Sequence, residues 1–563
     1  MDKDVVTVYP SAGHGNIRWK NLAKVIVFLL VFVLIFIWLQ DIMTPNRDLP
    51  DTTVRFKKSV RGLLQEEKNT IDALWLGTSH VYSGIIPMEL YRASGLRSHL
   101  LSGSSQRVPV AYYLLKNAFK EQSPSFVFID ASSFFIRKNE QLSYWQTAID
   151  ALPFSDMDIR IEMAAEAAGL NESAFDDDYI AMSVLPLLQY HTHVDLQEKD
   201  FYDLHLEQVY YRKGYVMNTR MSPVDKDDYD AIKAKLAQQP GSAEYTEEKI
   251  ALEQEAQGNL GYIKDMVRLC RENGSQLIFI KVPTYITSSK YGGYWSRTKH
   301  DIVQELADEY QVTFLDLNYE NVGLDWQTDT KDGGKHLNLY GATKVTEFLS
   351  DWIVHNLDVP VNDDADLKRR WDYQLKLYDM ERNIYLLCNI KDHKEYFEKI
   401  RDGRYTLLIS SHGDLSELWT EELQRDFEKL TGSTMDFRDL GGSSAVVLSS
   451  DGKVLDELAD PADCRIGGEL PGNISFSIRG NVDSASRIRV DRTILKITRY
   501  TGLQIVVFDN ELGWVVDCVN VMPGLQDDVT SETKAAIIIR NNPFKKKFYI
   551  KMKDYIDMKM AVL

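Results

Sequence analysis

Fifteen consecutive apolar residues, Val25 to Leu39, form the longest unbroken hydrophobic run near the start of the chain, with no polar position to give it a wet face. At the rise of an α-helix the run spans about 22 Å, and its flanks from Leu22 to Met43 extend it to about 33 Å, enough to cross a bilayer core. The following "WLQDIMTPN" offers no small-residue cleavage site, so the pattern predicts a retained anchor rather than a removed signal peptide. Arg18, Lys20 and Lys24 precede the run, whereas Arg47 follows among Asp41, Asp48 and Asp51. The apolar run defines 25–43 as a transmembrane anchor, with Lys24 snorkelling to the interface, and the modest charge bias favours residues 1–24 as a cytoplasmic tail without settling the topology. Arg55, Lys57 and Lys58 soften the bias, and a short tail inside with the long remainder outside is the simpler topology.

Beyond a juxtamembrane segment, 44–70, short apolar runs alternate with helical periodicity. The runs predict strands at Asp72 to Gly77, His99 to Ser102, Phe126 to Ala131, Gln276 to Val282 and Thr313 to Leu317. Helices are predicted at Val108 to Lys120, Thr246 to Asn273, Thr298 to Tyr310 and Tyr340 to Asn356. Such alternation implies an α/β domain, residues 71–357, built on a parallel sheet whose strands are covered on both faces. An insertion at about 135–240, rich in Asp, Tyr and Met, breaks the alternation and reads either as a lid or substrate wall or as helical decoration.

Proline and clustered charge in "DVPVNDDADLKRRW" mark a boundary, followed by a charged helical connector at 358–402. From 403 to 525 the pattern turns to short strands with hairpin signals at Ser450-Asp451-Gly452 and Asp509-Asn510, which predicts a β-sandwich-like domain. A basic-aromatic tail, 526–563, carries Lys545, Lys546, Lys547, Lys551 and Lys553 among Phe544, Phe548 and Tyr549. It reads as a solvated terminus or as a segment lying on an anionic membrane or polymer.

A length of 563 residues leaves room for two or three domains, and a formal net charge of −18 argues against a nucleic-acid partner. Four cysteines, Cys270, Cys388, Cys464 and Cys518, lack metal-ligand spacing and are too sparse for a disulfide scaffold. Most read as buried small hydrophobes, with a Cys464–Cys518 bridge left open because sequence cannot supply the geometry. No metal and no organic cofactor is indicated.

The candidate chemistry lies in "LWLGTSHVYSG" (74–84) and "DGGKHLNLYGA" (332–342). A serine hydroxyl needs an imidazole to take its proton and a carboxylate to hold that imidazole in the right tautomer. Ser79, at the exit of the first strand, is the expected nucleophile, His336 its base and Asp332 the orienting acid, with Asp329 in reserve. His80 is expected to point away from Ser79 on an extended stretch and reads as a pocket or packing residue. The backbone N–H groups of Ser79 and of Gly103 in "LLSGSSQ" are the natural oxyanion-hole pair. Gly103 reads equally as a tight turn.

These blocks, in this order over roughly Ile71 to Asn356, resemble the SGNH (GDSL-like) hydrolase superfamily. "GTSH" stands for its first block, "SGSSQ" for the glycine block and "DGGKH" for the final acid and histidine block. The form "LWLGTSH … HLNLYGATK" is most similar to its membrane-anchored members of cell-envelope polymer acylation, including the D-alanyl-lipoteichoic acid accessory protein. Two departures stand out: "FIDASSFF", with Asp130, Ser132 and Ser133, lacks the third-block Asn, and Asp332 and His336 are separated by three residues in place of two.

The resemblance implies a serine-dependent acyltransferase or esterase acting on a cell-envelope glycopolymer. It also implies a membrane-bound O-acyltransferase partner that delivers the acyl group. A non-catalytic, polymer-binding scaffold is the alternative, and a simple esterase facing the same compartment is a third. "SSAVVLSSDGKV", "SFSIRG" and "TGLQIVVFDNELGWVVD" resemble the interleukin-like EMT inducer domain, which implies glycan docking, a structural spacer being the plainer alternative.

Overall fold

Leu74, Trp75 and Leu76 lie in β1 (Ala73–Gly77), every residue of which is buried, so an unbroken apolar run encodes it rather than an alternating one. β2 (Ser98–Ser102), β3 (Phe126–Asp130), β4 (Gln276–Lys281) and β5 (Thr313–Asp316) complete a parallel sheet in the order β2-β1-β3-β4-β5. Trp75 sits opposite Leu100 on one side and Phe128 on the other, and the Trp75 and Phe128 rings stack with centroids 3.8 Å apart. All five expected strands form, their ends displaced by one residue at most.

This computed structural model describes residues 14–43, 52–137, 143–170, 177–191, 212–285, 295–361, 364–481, 487–496, 501–524 and 536–540. The chain divides into two compact units, Met1–Trp371 and Asp372–Leu563.

In the first unit the path runs from β1 out to β2 and then returns past β1 to β3. Under the right-handed crossover rule that reversal sends helices before and after β2 to opposite faces. Helix Ala243–Glu272 packs against both Val108–Ala118 and Arg297–Tyr310, while Pro87–Ser94 packs against Leu339–Asn356. Reversal of direction between β1 and β3 leaves a crevice beyond the carboxyl ends of those strands.

Among the described residues one helix segment, Asn21–Gln40 within His14–Met43, is long and apolar enough to cross a membrane. Its far end meets the rest of the unit: Gln40 Oε1 accepts the Leu187 N–H at 2.9 Å, and Phe36 meets the Phe154 ring edge-on. The helix Thr52–Gln65 follows and buries Phe56, Val60 and Leu63 against β2 and helix Ser143–Ala151. The described parts of the 135–240 interval are helical, including Ser143–Ala151, Met157–Gly169, Asp177–Val184 and Lys226–Leu236, with a non-helical segment from 215 to 225.

Helix Ala365–Leu387 runs across the boundary between the units. The second unit holds β6 (Tyr405–His412), β7 (Ser444–Ser450), β8 (Lys453–Asp460), β9 (Asp463–Leu470), β10 (Ile474–Asn481), β11 (Arg487–Val490), β12 (Thr493–Lys496), β13 (Gly502–Asp509), β14 (Trp514–Pro523) and β15 (Ala536–Arg540). They form antiparallel sheets ordered β15-β14-β13-β6-β7-β8 and β12-β11-β10-β9. Leu408, Val446, Val506 and Phe508 of the larger sheet share one apolar core with Ile466, Phe476, Ile478 and Ile488 of the smaller. Asp451 and Gly452, both at positive φ, turn β7 into β8.

Cys464 and Cys518 are free thiols, which settles the open disulfide alternative: Cys464 Sγ lies 3.4 Å from Ser444 Oγ, and Cys518 Sγ accepts from Gln504 Nε2 at 3.4 Å. Of the basic-aromatic tail only Ala536–Arg540 belongs to the described residues, and its lysine cluster, 545–553, lies outside them.

Candidate active site

Ser79 begins the short helix Ser79–Gly84 directly beyond β1. Gly77 makes the sharp exit: its φ is +132°, and a Cβ there would stand 2.5 Å from the Asp130 Cβ. Thr78 caps the helix, its Oγ1 accepting the His80 N–H at 3.4 Å. The Ser79 hydroxyl therefore projects over the strand ends from a strand–turn–helix corner. The expectation of an extended stretch is corrected here, because the helix starts at Ser79 and swings His80 toward the same crevice.

His336 comes from the opposite direction, on a loop closed by a bridge between Thr330 and Leu337. Its Nε2 lies 2.7 Å from Ser79 Oγ, and its Nδ1 lies 2.6 Å from Asp332 Oδ2. Asp332 Oδ1 also accepts the backbone N–H of His336 at 2.8 Å, so both carboxylate oxygens hold the same residue. The three-residue spacing thus serves the pairing. Burial alone would raise the Asp332 pKa, but the hydrogen bonds and charge of His336 outweigh it and hold the carboxyl below its ordinary value.

An ionised Asp332 can only accept, which puts the imidazole proton on Nδ1 and leaves the Nε2 lone pair facing the serine. Asp329, the reserve acid, is spent elsewhere: Oδ2 accepts Lys344 Nζ and the Asp325 N–H, each at 2.7 Å.

Gly334 fixes the shape of the His336 loop, with φ +92° and a Cβ position 2.4 Å from the Tyr285 carbonyl oxygen. Asn338 anchors its end. The Asn338 Oδ1 caps helix Leu339–Asn356 by accepting from Tyr340 and Gly341, while Nδ2 donates to the carbonyls of Thr328 and Arg220. The 215–225 segment lies against both halves of the site. Val216 N–H donates to Tyr82 O at 2.8 Å, Leu339 N–H to Asn218 O at 2.6 Å, and Gly333 N–H to Ser222 O at 3.2 Å. Part of the insertion is thus the clasp that joins the two motif loops.

The oxyanion-hole expectation needs one correction. Gly103 N–H donates to the Gly77 carbonyl at 3.1 Å and is not a free donor. Gly103 is required instead by the Phe56 ring, 3.1 Å from where a Cβ would stand. Ser79 N–H, in the first turn of its helix, has no intrahelical acceptor by position and remains the candidate donor.

A second imidazole stands beside the first. The His80 and His336 ring centroids are 5.7 Å apart. His80 Nδ1 lies 3.1 Å from Thr78 Oγ1, 3.4 Å from Ser132 Oγ and 3.7 Å from Asp130 Oδ2, and Thr78 Oγ1 donates to Asp130 Oδ2 at 2.6 Å. Burial pushes the His80 pKa down to about 4, against the opposing pull of Asp130. Burial would raise Asp130, yet His80, the nearby Lys281 charge and the Thr78 hydroxyl together hold it down at about 2. Asp130 occupies the end of β3, where the resemblance leads one to expect Asn, and its role as anchor of His80 was not read from the sequence. An Asp two residues before a Ser-Ser pair carries no motif signal by itself.

No group of three or more His, Cys, Asp or Glu among the described residues is placed to hold a metal ion. No family model matches the chain, and no curated protein matches it. Among solved structures, a "putative acylhydrolase" from Bacteroides fragilis NCTC 9343 aligns with 53% of this chain and 95% of its own, at 10% identity and a TM-score of 0.25. So slight a likeness carries no argument about fold or activity.

Proposed function

We propose that the chain is a membrane-anchored serine acyltransferase or esterase in which Ser79 is the nucleophile. The observation that carries this is the continuous line Ser79 Oγ, His336 Nε2, His336 Nδ1, Asp332 Oδ2, with contacts of 2.7 and 2.6 Å. In the acylation step His336 removes the Ser79 proton as Oγ attacks the acyl carbon, then returns it to the departing alcohol. Ser79 N–H supplies a donor to the oxyanion. In the second step His336 takes the proton of water or of an acceptor hydroxyl, and Ser79 leaves with it.

The helix segment at 21–40, long and apolar enough to cross a bilayer, supports the membrane anchor in this reading. The resemblance to envelope-acylating SGNH proteins extends the reading to an extracytoplasmic site, a glycopolymer substrate and a membrane-bound O-acyltransferase as acyl donor. The β-rich second unit is then a sandwich-like, glycan-docking domain of the interleukin-like EMT inducer type. A second reading, a polymer-binding scaffold, is favoured by one observation: Gly103 N–H is engaged, leaving the oxyanion with fewer backbone donors than a strong hydrolase needs.

Incubation of the detergent-solubilised chain with p-nitrophenyl acetate, followed by peptide mass mapping, separates the two. Acetyl mass on the Ser79 peptide, absent in Ser79→Ala, supports the enzyme. With no adduct and no p-nitrophenol burst from the wild type, the scaffold stands.

A further inference from the structure

His80 stands outside the Ser79–His336–Asp332 relay, and among the described residues no hydrogen bond holds its Nε2, so the geometry determines what that nitrogen offers. Asp130 is ionised and fully buried, so it can only accept. The single Thr78 hydroxyl proton goes to it at 2.6 Å. Thr78 Oγ1 can then only accept from the His80 ring at 3.1 Å, which places the ring proton on Nδ1. Asp130, Lys281 and His336 are the charged or titratable groups acting on the ring, and burial keeps it neutral. Nε2 is thus a bare lone pair.

Among the described residues nothing bonds to this nitrogen, and it is not one of the buried polar atoms sealed without a partner. The side chain keeps 11% of its surface open. Two imidazoles therefore stand with ring centres 5.7 Å apart, each with Nδ1–H tethered to a carboxylate, directly or through a hydroxyl, and each with Nε2 unprotonated. One lone pair faces the nucleophile. The other accepts no hydrogen bond from any described residue.

Resting on the acyl-transfer reading of Ser79, we infer that His80 Nε2 is an acceptor subsite selecting a 1,2-diol: it accepts a hydrogen bond from the hydroxyl next to the one being acylated. His336 alone moves protons in the step. The reacting hydroxyl oxygen bonds to the acyl carbon of the Ser79 ester, its proton passes to His336 Nε2, the Oγ–acyl bond breaks, and that proton returns to Oγ. The neighbouring hydroxyl keeps its own proton and donates it to His80. A vicinal pair of hydroxyls, as in a sugar ring or a polyol, can offer one proton to each of two rings whose centres are 5.7 Å apart; an alcohol whose neighbour is an ether meets a lone pair with a lone pair.

The test compares ethylene glycol with 2-methoxyethanol as acceptors for the full chain in detergent, with p-nitrophenyl acetate as donor. Transfer is read as acetylated acceptor per hydroxyl. The wild type is expected to favour ethylene glycol about tenfold, the order of one neutral hydrogen bond set against two opposed lone pairs. His80→Asn keeps an inward N–H at the Nδ1 position and removes the atom at Nε2, whereas His80→Phe removes both. In each variant the preference should fall to within about twofold of unity, the residue of a lost hydrogen bond. A preference unchanged in both variants overturns the inference, as does a wild type that treats the two acceptors alike or an equal loss of transfer to both. A wild type with no p-nitrophenol burst overturns the acyl-transfer reading itself; a burst with no diol preference overturns the subsite alone.

Discussion

Replacing Asp332 by Asn tests the relay at its most specific point, because the backbone dictates which way the new amide must face. Asp332 Oδ1 accepts the His336 backbone N–H at 2.8 Å, and an Asn can satisfy that donor only with its carbonyl oxygen. Its NH₂ is then aimed at His336 Nδ1, 2.6 Å from where Oδ2 stood. A nitrogen that receives a donor cannot keep its own proton, so the ring proton moves to Nε2 and confronts Ser79 Oγ with a donor in place of a base.

Loss of the correct tautomer in a buried serine triad costs on the order of 10⁴ in kcat. Here the Asp332 and His336 side chains are 35% and 22% exposed, so water can hold part of the ring population in the productive tautomer. We therefore expect Asp332→Asn to lower kcat/KM by about 10² to 10³, roughly 3 to 4 kcal/mol of transition-state stabilisation. Asp332→Ala should lose about tenfold less, because an empty place leaves Nδ1–H to water and imposes no wrong tautomer. Initial rates of p-nitrophenyl acetate hydrolysis, with Ser79→Ala as the blank, measure both. Asp332→Asn within about fivefold of wild type would refute the tautomer reasoning. So would an Ala variant more damaged than the Asn variant, since charge loss alone would then account for the effect.

Gly77→Ala places a Cβ 2.5 Å from that of Asp130 at φ +132°, and chemical denaturation should show a loss of about 3 kcal/mol; a loss below about 1 kcal/mol would mean the corner can relax. Burial holds His80 and His99 each at about 4, below the ordinary 6.5, so between those values the unfolded chain binds protons that the folded one refuses. Stability of the first unit should therefore fall as pH drops from 6.5 toward 4, on the order of a few kcal/mol, and the slope should shrink in His80→Asn; a flat denaturation midpoint across that window would contradict it. Leu30→Arg with Leu34→Arg puts two charges in the span, each costing about 3 kcal/mol at the bilayer centre, and should move the chain out of the carbonate-resistant membrane fraction. Retention of the double variant in the membrane would point to anchoring by other surfaces.

The parallel sheet and the Ser79 and His336 positions were legible because each is written in local chemistry. A strand buried on both faces needs consecutive apolar residues, as in Leu74 to Leu76, and its sharp exit needs a residue free to take φ +132°. The Asp332–His336 pair was legible because loop geometry brings near neighbours together. The direction of the His80 side chain was missed for a reason of equal simplicity: period-two alternation applies only while the chain is extended, and the chain turns helical one residue earlier, at Ser79. Gly103 failed as the expected donor because its N–H is taken by the Gly77 carbonyl, a main-chain pairing across the strand ends that leaves no mark in residue type.

The clasp formed by the 215–225 segment left no trace in the sequence because it works through the main chain, which every residue carries. Val216, Asn218 and Ser222 meet Tyr82, Leu339 and Gly333 through main-chain N–H and C=O groups, pairings that residue type does not announce. Thr78 is the opposite case, a residue with three readable duties compressed into one hydroxyl: it caps the Ser79 helix, donates to Asp130 and accepts from His80. A hydroxyl has one proton to give, and spending it on Asp130 leaves Thr78 Oγ1 only able to accept from the His80 ring. The direct pair at His336 and the hydroxyl-bridged pair at His80 thus reach the same protonation state by different routes. The direct carboxylate beside His336 can stabilise the imidazolium that base catalysis forms, whereas the bridged one beside buried His80 leaves that charge poorly compensated. That asymmetry assigns proton transfer to one ring and hydrogen-bond acceptance to the other.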